Sequence, residues 1–271
     1  MSNFHDVISA GIKRIYEEDL TQQEYNLDFI CSNARGMPSG VLKQSGAFFV
    51  PNDNYMLEFF GSGVMLPELD CYSGAECIWN NYLVVPVRDV SDTIVGLAGF
   101  NPFMYLEAKE TQNWSITYYR YTNKSIFHKG RYLFGIPGAF LKAKHDGYCV
   151  LLDGFFDTLN SAQNGFNALG VLGSDVTPEI AAQLRFIKKT IVLVDNDEAG
   201  LRLFNQLHKY NPKITYCFKQ GRVKDADDSF KSDFANEYAT QLRDFIENGN
   251  PFLTYGHFKE PKKHSSIFIN K

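Results

Sequence analysis

Three pairs of aspartates mark the second half of the chain: Asp153 with Asp157, Asp195 with Asp197, and Asp225 with Asp227. Each pair follows a short apolar run. "YCVLLD" ends at Asp153-Gly154, "TIVLV" runs into Asp195, and "ITYCF" precedes the acidic loop "KQGRVKDADDSF". Carboxylates delivered from separate strand ends repel one another unless cations sit among them. All-oxygen donors suit Mg2+ or Mn2+ rather than zinc. Two such ions about 4 Å apart can activate a hydroxyl and stabilise a departing phosphate oxygen. The pattern therefore points to phosphoryl or nucleotidyl transfer. Taken singly, the turns have plainer readings. Asp195 opens a turn, Asp197 caps a helix, and the last acids lie in a solvated loop beside Lys219, Arg222 and Lys224.

Chemistry of that kind needs a scaffold that brings the turns together. Residues 191–194 are apolar at every position, which suits a strand covered on both faces of a parallel sheet. Leu201, Phe204 and Leu207 have helical spacing and predict a helix over 198–207. Residues 148–152 predict another strand, followed by a helix from Asp157 through Ala162 that Gly165 terminates. A short buried strand follows in "NALGVLG". Thr177 and Pro178 then supply an N-cap and a first helical residue, for a helix reaching about Lys188. The last strand is 214–218. The βαβαβα rhythm predicts an α/β fold, a Rossmann-like, mostly parallel sheet with flanking helices, and such sheets bind ligands at the carboxyl ends of their strands. A helix in "EYATQLRDFIENG" and a basic tail, 257–271, complete the chain.

The chain has 271 residues, enough for one large domain or two modest ones. Net charge is −4, which does not suggest a general nucleic-acid binder. Charge placement does. No Asp or Glu occurs from Thr111 to His145, a window that holds Arg120, Lys124, Lys129, Arg131, Lys142 and Lys144 among many aromatics. Cations there can neutralise phosphates while rings stack on bases; the competing reading is a half-buried sheet with a basic solvent face. The five cysteines form no CxxC pair, which argues against a zinc finger. Their odd number, with no signal-peptide core and no spanning apolar stretch, suggests a reducing cytoplasm, bacterial or that of a phage-infected host, and no membrane partner. Cys71 and Cys77 read as buried thiols.

Taken together, the residues resemble a known family. "LLDGFFD" and "VDNDEAG" look like the acid-glycine and DxD turns of a Toprim domain, found in DnaG-type primases, topoisomerases and some nucleases. The flanks resemble the primase branch. "VLGSDVTPEIAAQLRFIKKTIVLVDNDEAG", "KDADD", "LVVPVRDVSDTIVGLAGF", "YRYTNKSIFHKGRYLFG" and "ARGMPSGVLKQSGAFFVPND" are each similar to primase stretches, in order, over roughly residues 25–235. The resemblance implies an α+β N-terminal primase-core subdomain over 1–145, a Toprim domain over 146–235, and a C-terminal helix and tail over 236–271. It implies synthesis of RNA primers on single-stranded DNA, with Mg2+ or Mn2+ and no zinc as cofactor.

By the same resemblance, Asp195, Asp197, Asp225 and Asp227 hold divalent ions with Asp153, and Asp157 is a further acid of the site. Lys129 lies near the nucleotide triphosphate or the growing primer, and Arg120 replaces a family lysine. Arg88 is structural or contacts nucleic acid. Lys124, Arg131 and Lys224 complete the expected basic set. There are departures: Asp153 stands where the family has glutamate, Asn196 where it has glycine, and Asn101-Pro102 where an arginine is expected. The family's zinc-binding template module and helicase-binding domain are not recognisable, which implies a compact, phage-like form served by a replicative helicase or a separate template-recognition protein. Two rival readings are a Toprim nuclease that hydrolyses phosphodiesters and a primase-like subunit kept for nucleic-acid binding with weakened catalysis.

Overall fold

The computed structural model describes residues 4–35, 37, 39–65, 71–73, 76–122, 127–173, 175–194, 198–213, 215–219, 230 and 235–248. Their contacts divide the chain into two units, Met1–Lys129 and Gly130–Lys271. In the first, α1 (Phe4–Glu18) buries Ile8, Gly11 and Ile15, whose spacing of three and four places them on one helix face. Gly11 answers a close approach, since a Cβ there would lie 2.2 Å from the Phe60 ring. In α2 (Leu20–Ile30) the buried Gln23 donates to the Phe49 carbonyl and accepts from the Phe49 amide, tying the helix to β1 (Phe48–Phe49). Two short helices, α3 (Gly40–Ser45) and α4 (Tyr55–Phe60), flank that strand in sequence. A small hairpin joins β2 (Tyr72–Ser73) to β3 (Glu76–Cys77).

The main sheet of this unit has the order β1-β4-β5-β6 and is antiparallel, with β4 (Leu83–Arg88), β5 (Ile94–Phe100) and β6 (Tyr119–Tyr121). Between β5 and β6 comes α5 (Pro102–Thr111). Asn101, standing where the resemblance led us to expect arginine, caps this helix by accepting from the amides of Phe103 and Met104. Trp79, Phe48, Met56 and Leu97 lie at the centre of the core, beside the buried Cys71 and Cys77.

The second unit is built on a five-stranded sheet of order β11-β10-β8-β9-β7. Its strands are β7 (Leu133–Phe134), β8 (Tyr148–Asp153), β9 (Ala168–Val171), β10 (Lys189–Val194) and β11 (Thr215–Lys219). Pairing is parallel throughout except at β7, an antiparallel edge strand that periodicity did not indicate. Alternate residues point to opposite faces, and both faces are covered. Cys149, Leu151, Leu169 and Val192 pack against α6 (Ala139–Asp146), α8 (Pro178–Leu184) and α9 (Glu198–Tyr210). Val150, Leu152, Ile191 and Leu193 pack with Phe166, Phe230 and residues of α10 (Ala235–Asn248). That is the physical reason residues 149–152 and 191–194 are unbroken apolar runs.

The expected elements are present with local differences. The helix after β8, α7 (Phe155–Gln163), starts two residues before Asp157, and Gly165 follows it with φ +86°. Thr177 caps α8 through its side-chain oxygen, with Pro178 next. That helix stops at Leu184 rather than near Lys188, because Ile187 turns into the core and Lys189 already pairs with β8. Residues 130–145, grouped by sequence with the N-terminal subdomain, pack in the second unit, where β7 pairs with β9 and Ala143 is buried against the sheet.

Two outcomes follow from this packing. Leu151→Ala, at the fully buried centre of β8, should lower unfolding free energy by about 2–5 kcal/mol in urea titration. Burial pushes the Cys149 thiol from 9.0 up to about 12, so the fold favours its protonated form. Stability should therefore decline as pH rises through the ordinary thiol range, and a thiol reagent at neutral pH should leave native Cys149 unmodified while labelling it in urea.

Candidate active site at the carboxyl edge of the parallel sheet

The register of three neighbouring strands decides where the acids can meet. Leu151 of β8 pairs with Val192 of β10, and Val194 of β10 pairs with Lys219 of β11. The ends of β8, β10 and β11 therefore fall at one edge of the sheet, with neighbouring strands about 4.8 Å apart. Asp153 is the last residue of β8, and α9 begins at Glu198, four residues after β10 ends at Val194. Asp195, Asp197, Asp225 and Asp227 lie outside the described residues, as do Lys124 and Lys224. Val194, directly before Asp195, and Lys219, six residues before Asp225, are strand ends at this edge.

Asp153 and Asp157 are described, and both are half-buried. Between them Gly154 adopts φ +91° and ψ 163°, a backbone conformation essentially reserved for glycine. Its amide donates to the Val171 carbonyl of β9 at 2.9 Å. A Cβ at this position would lie 3.7 Å from Oδ2 of Asp157, so the second carboxylate folds back over the turn. Asp157 also occupies the first turn of α7, where the helix dipole favours negative charge. A carboxylate-only donor set of this kind fits a hard divalent cation. Among the described residues, no three acidic, histidine or cysteine side chains gather into a fuller metal cluster.

The basic candidates are placed differently. In the first unit, Arg88 ends β4 at a bulge, and its Nη1 donates to the Asp92 carbonyl at 3.0 Å, bracing the Asp89–Thr93 turn. Burial lowers its pKa, and its Nε is buried with no acceptor among the described residues. Arg120 pairs with Gly99 across the sheet and holds its guanidinium 5.4 Å from the centre of the Tyr82 ring. Tyr82 and Trp79 are the rings that crowd Gly99, which puts Arg120 on the core face of the sheet. Tyr121, next along β6, faces the other way, and the exposed Lys129 lies 4.6 Å over its ring. Arg120 and Lys129 thus serve opposite faces.

In the second unit, Arg131 is exposed and its carbonyl accepts from Gln183. Lys142 is engaged by Asp146 at 2.8 Å and Asn167 at 2.6 Å. Hydrogen bonds from Lys142, His145 and Asn167 hold the Asp146 carboxyl well below the usual range. This cluster lies where the chain enters β8, at the amino edge. A cavity of about 700 Å³ opens there, lined by Tyr148, Lys188, Lys189, Tyr216 and Arg243 among others. Two of its cations already have partners. Lys189 of β10 donates to the Ile246 carbonyl, and Arg243 donates to the Asn164 carbonyl at the end of α7, so α10 is stapled to the sheet and to that helix.

A parallel sheet with an acid-glycine turn at its carboxyl edge defines a class, and a family model described as Toprim-like matches residues 150–230. The DNA primase of Thermotoga maritima is 30% identical over 262 residues, covering 88% of this chain and 43% of that protein. The RNA polymerase domain of Mycobacterium tuberculosis primase DnaG superposes with a TM-score of 0.70 at 17% identity, covering 92% of this chain and 85% of that one. A DnaG primase catalytic domain bound to ssDNA superposes with a TM-score of 0.63 at 16% identity, covering 87% and 79%. The chain is similar in sequence to bacterial DNA primases and has the fold of the DnaG catalytic core. It spans less than half the length of the curated primases it matches. Among the described residues no helix is long and apolar enough to cross a membrane.

Replacing Gly154 with alanine should cost about 1–3 kcal/mol, because φ +91° is strained for any L side chain. Urea titration reads the loss, and an unchanged midpoint would contradict the geometry described for this turn.

Proposed function

We propose that this chain is the primer-synthesising core of a DNA primase. The observation that carries the reading is the shared register of β8, β10 and β11. In sequence these strands lead into Asp153 with Asp157, Asp195 with Asp197, and Asp225 with Asp227. The similarity to bacterial primases over most of the chain supports the same conclusion.

In this proposal the 3′-hydroxyl of the growing primer forms a bond to the α-phosphorus of an incoming NTP. The bond from that phosphorus to the bridging oxygen breaks, pyrophosphate leaves, and the hydroxyl proton passes to water. Asp195, Asp197, Asp225 and Asp227 would hold Mg2+ or Mn2+, with Asp153 reaching in from the end of β8. The ions would supply neutralisation of the phosphate oxygens and a lowered pKa for the attacking hydroxyl. The remaining contribution of the chain would be positioning, with Asp153 at the end of β8 helping to hold the reacting groups in line. Lys129, kept over the Tyr121 ring, is the exposed cation proposed for the triphosphate or the primer backbone. Single-stranded DNA is the proposed template, and its selection is assigned to a partner, a replicative helicase or a zinc-bearing template-recognition protein.

The test is de novo RNA synthesis by the purified protein on single-stranded DNA of mixed sequence with NTPs and Mg2+ or Mn2+. Asp195→Ala should reduce short RNA products by about 10²-fold or more, the scale expected when transition-state charge loses its stabilisation. DNA cleavage without NTPs would instead favour the nuclease reading. Strand binding with no RNA in any variant, including Asp153→Glu, would favour the binding subunit. In a separate titration, Lys129→Ala should weaken single-strand binding and reduce the slope of log affinity against log salt by about 1.

A further inference from the structure

Thr158 lies one turn into α7 and is fully buried. Its Oγ1 donates to the Gly154 carbonyl at 2.7 Å. Threonine hydroxyls often bond the carbonyl four residues back. Here that carbonyl belongs to the N-cap of α7. It belongs to the glycine turn that separates Asp153 from Asp157. Gly170 on β9 leaves room for the contact: a Cβ there would lie 2.2 Å from Thr158 Oγ1 and 3.1 Å from the Gly154 oxygen. The Gly154 amide is bound independently by the Val171 carbonyl. Both polar groups of residue 154 are therefore held, one by the sheet and one by the helix. A backbone in a sparsely populated region persists only when its surroundings over-determine it in this way.

We propose that Thr158 is a positioning residue, whose hydroxyl fixes the Gly154 peptide and thereby the setting of the Asp153 and Asp157 carboxylates toward a divalent cation. This rests on the metal-binding reading of the carboxyl edge. Thr158 touches no substrate; it acts through the turn. Mutating groups that orient metal ligands typically costs about 10–100-fold in metal affinity.

The experiment is Mn2+ binding to the full chain, followed by electron paramagnetic resonance in the absence of nucleotide and at a temperature where every variant is folded. Thr158→Val keeps the shape and removes the hydroxyl, and should weaken Mn2+ binding about tenfold. Thr158→Ser restores the hydroxyl without the methyl and should bind close to wild type. Wild-type affinity in Thr158→Val would overturn the role of the hydroxyl while leaving the metal reading intact. Equal weakening in Thr158→Ser and Thr158→Val would overturn it in favour of packing. Should Thr158→Val not fold, Thr158→Cys, a weak donor of similar size, replaces it with the same two criteria. Absence of Mn2+ binding by wild type, or unchanged binding by Asp153→Ala, would overturn the metal reading and this role with it.

Discussion

The parallel register of β8, β10 and β11 is the constraint on which the second unit depends. It fixes which side chains face each layer of helices and which strand ends share an edge. Because side chains alternate along a strand, a slip of one residue would turn Cys149, Leu151 and Val192 toward the layer that now receives Val150, Ile191 and Leu193. Both layers are apolar, so the register must be held by shape as well as by polarity. The polar anchors at the two ends help. Lys189 begins its pairing with Tyr148 beside the Gly147 turn, and Gly154 is bound to Val171 at the other end. The Asp153–Asp157 turn takes its place from this arrangement.

The first unit is organised on a different principle. Its sheet is antiparallel, and its centre is a cluster of large rings and aliphatic chains around Trp79. The cations that read in sequence as one basic band are divided there by the pleat of β6. Arg120 lies against Tyr82 on the core face, and Lys129 lies over Tyr121 on the other. Arginine stacks well on a ring and keeps its charge when desolvated, which suits Arg120 to its partly buried place. A lysine keeps a compact, strongly hydrated charge at the end of a flexible stem, which suits the exposed Lys129. Arg88 is different again, braced against a turn carbonyl in its own hairpin.

Much of the second unit was legible in the sequence because its local signals agreed with one another. Doubly covered strands wrote themselves as unbroken apolar runs, Thr177-Pro178 marked a helix start, and Gly165 marked a helix end. What was missed had no local signature. β7 has only two residues and is defined by its partner β9, not by any period of its own. The early end of α8 follows from the tertiary demand on Ile187. The separation of Arg120 from Lys129 follows from strand alternation, which a composition window cannot express. Of the candidate site, the Asp153–Asp157 turn was visible as an acid-glycine pattern; the threonine and glycine that brace it, Thr158 and Gly170, were not, because their roles arise from contact between α7 and β9.

The way the second unit closes its apolar faces separates two meanings of the word domain. The Toprim-like match covers residues 150–230, a boundary drawn by inheritance. The folding boundary is wider. One face of the sheet is completed by Ala139 and Ala143 from before the match, and the other by Tyr238, Ala239 and Leu242 from after it. A fragment cut at the inherited limits would bring its chemistry without its cover, leaving Val150, Ile191 and Leu193 short of the helix that shields them. In this protein the segment that the family model matches and the body that water recognises as a single object are not the same length of chain.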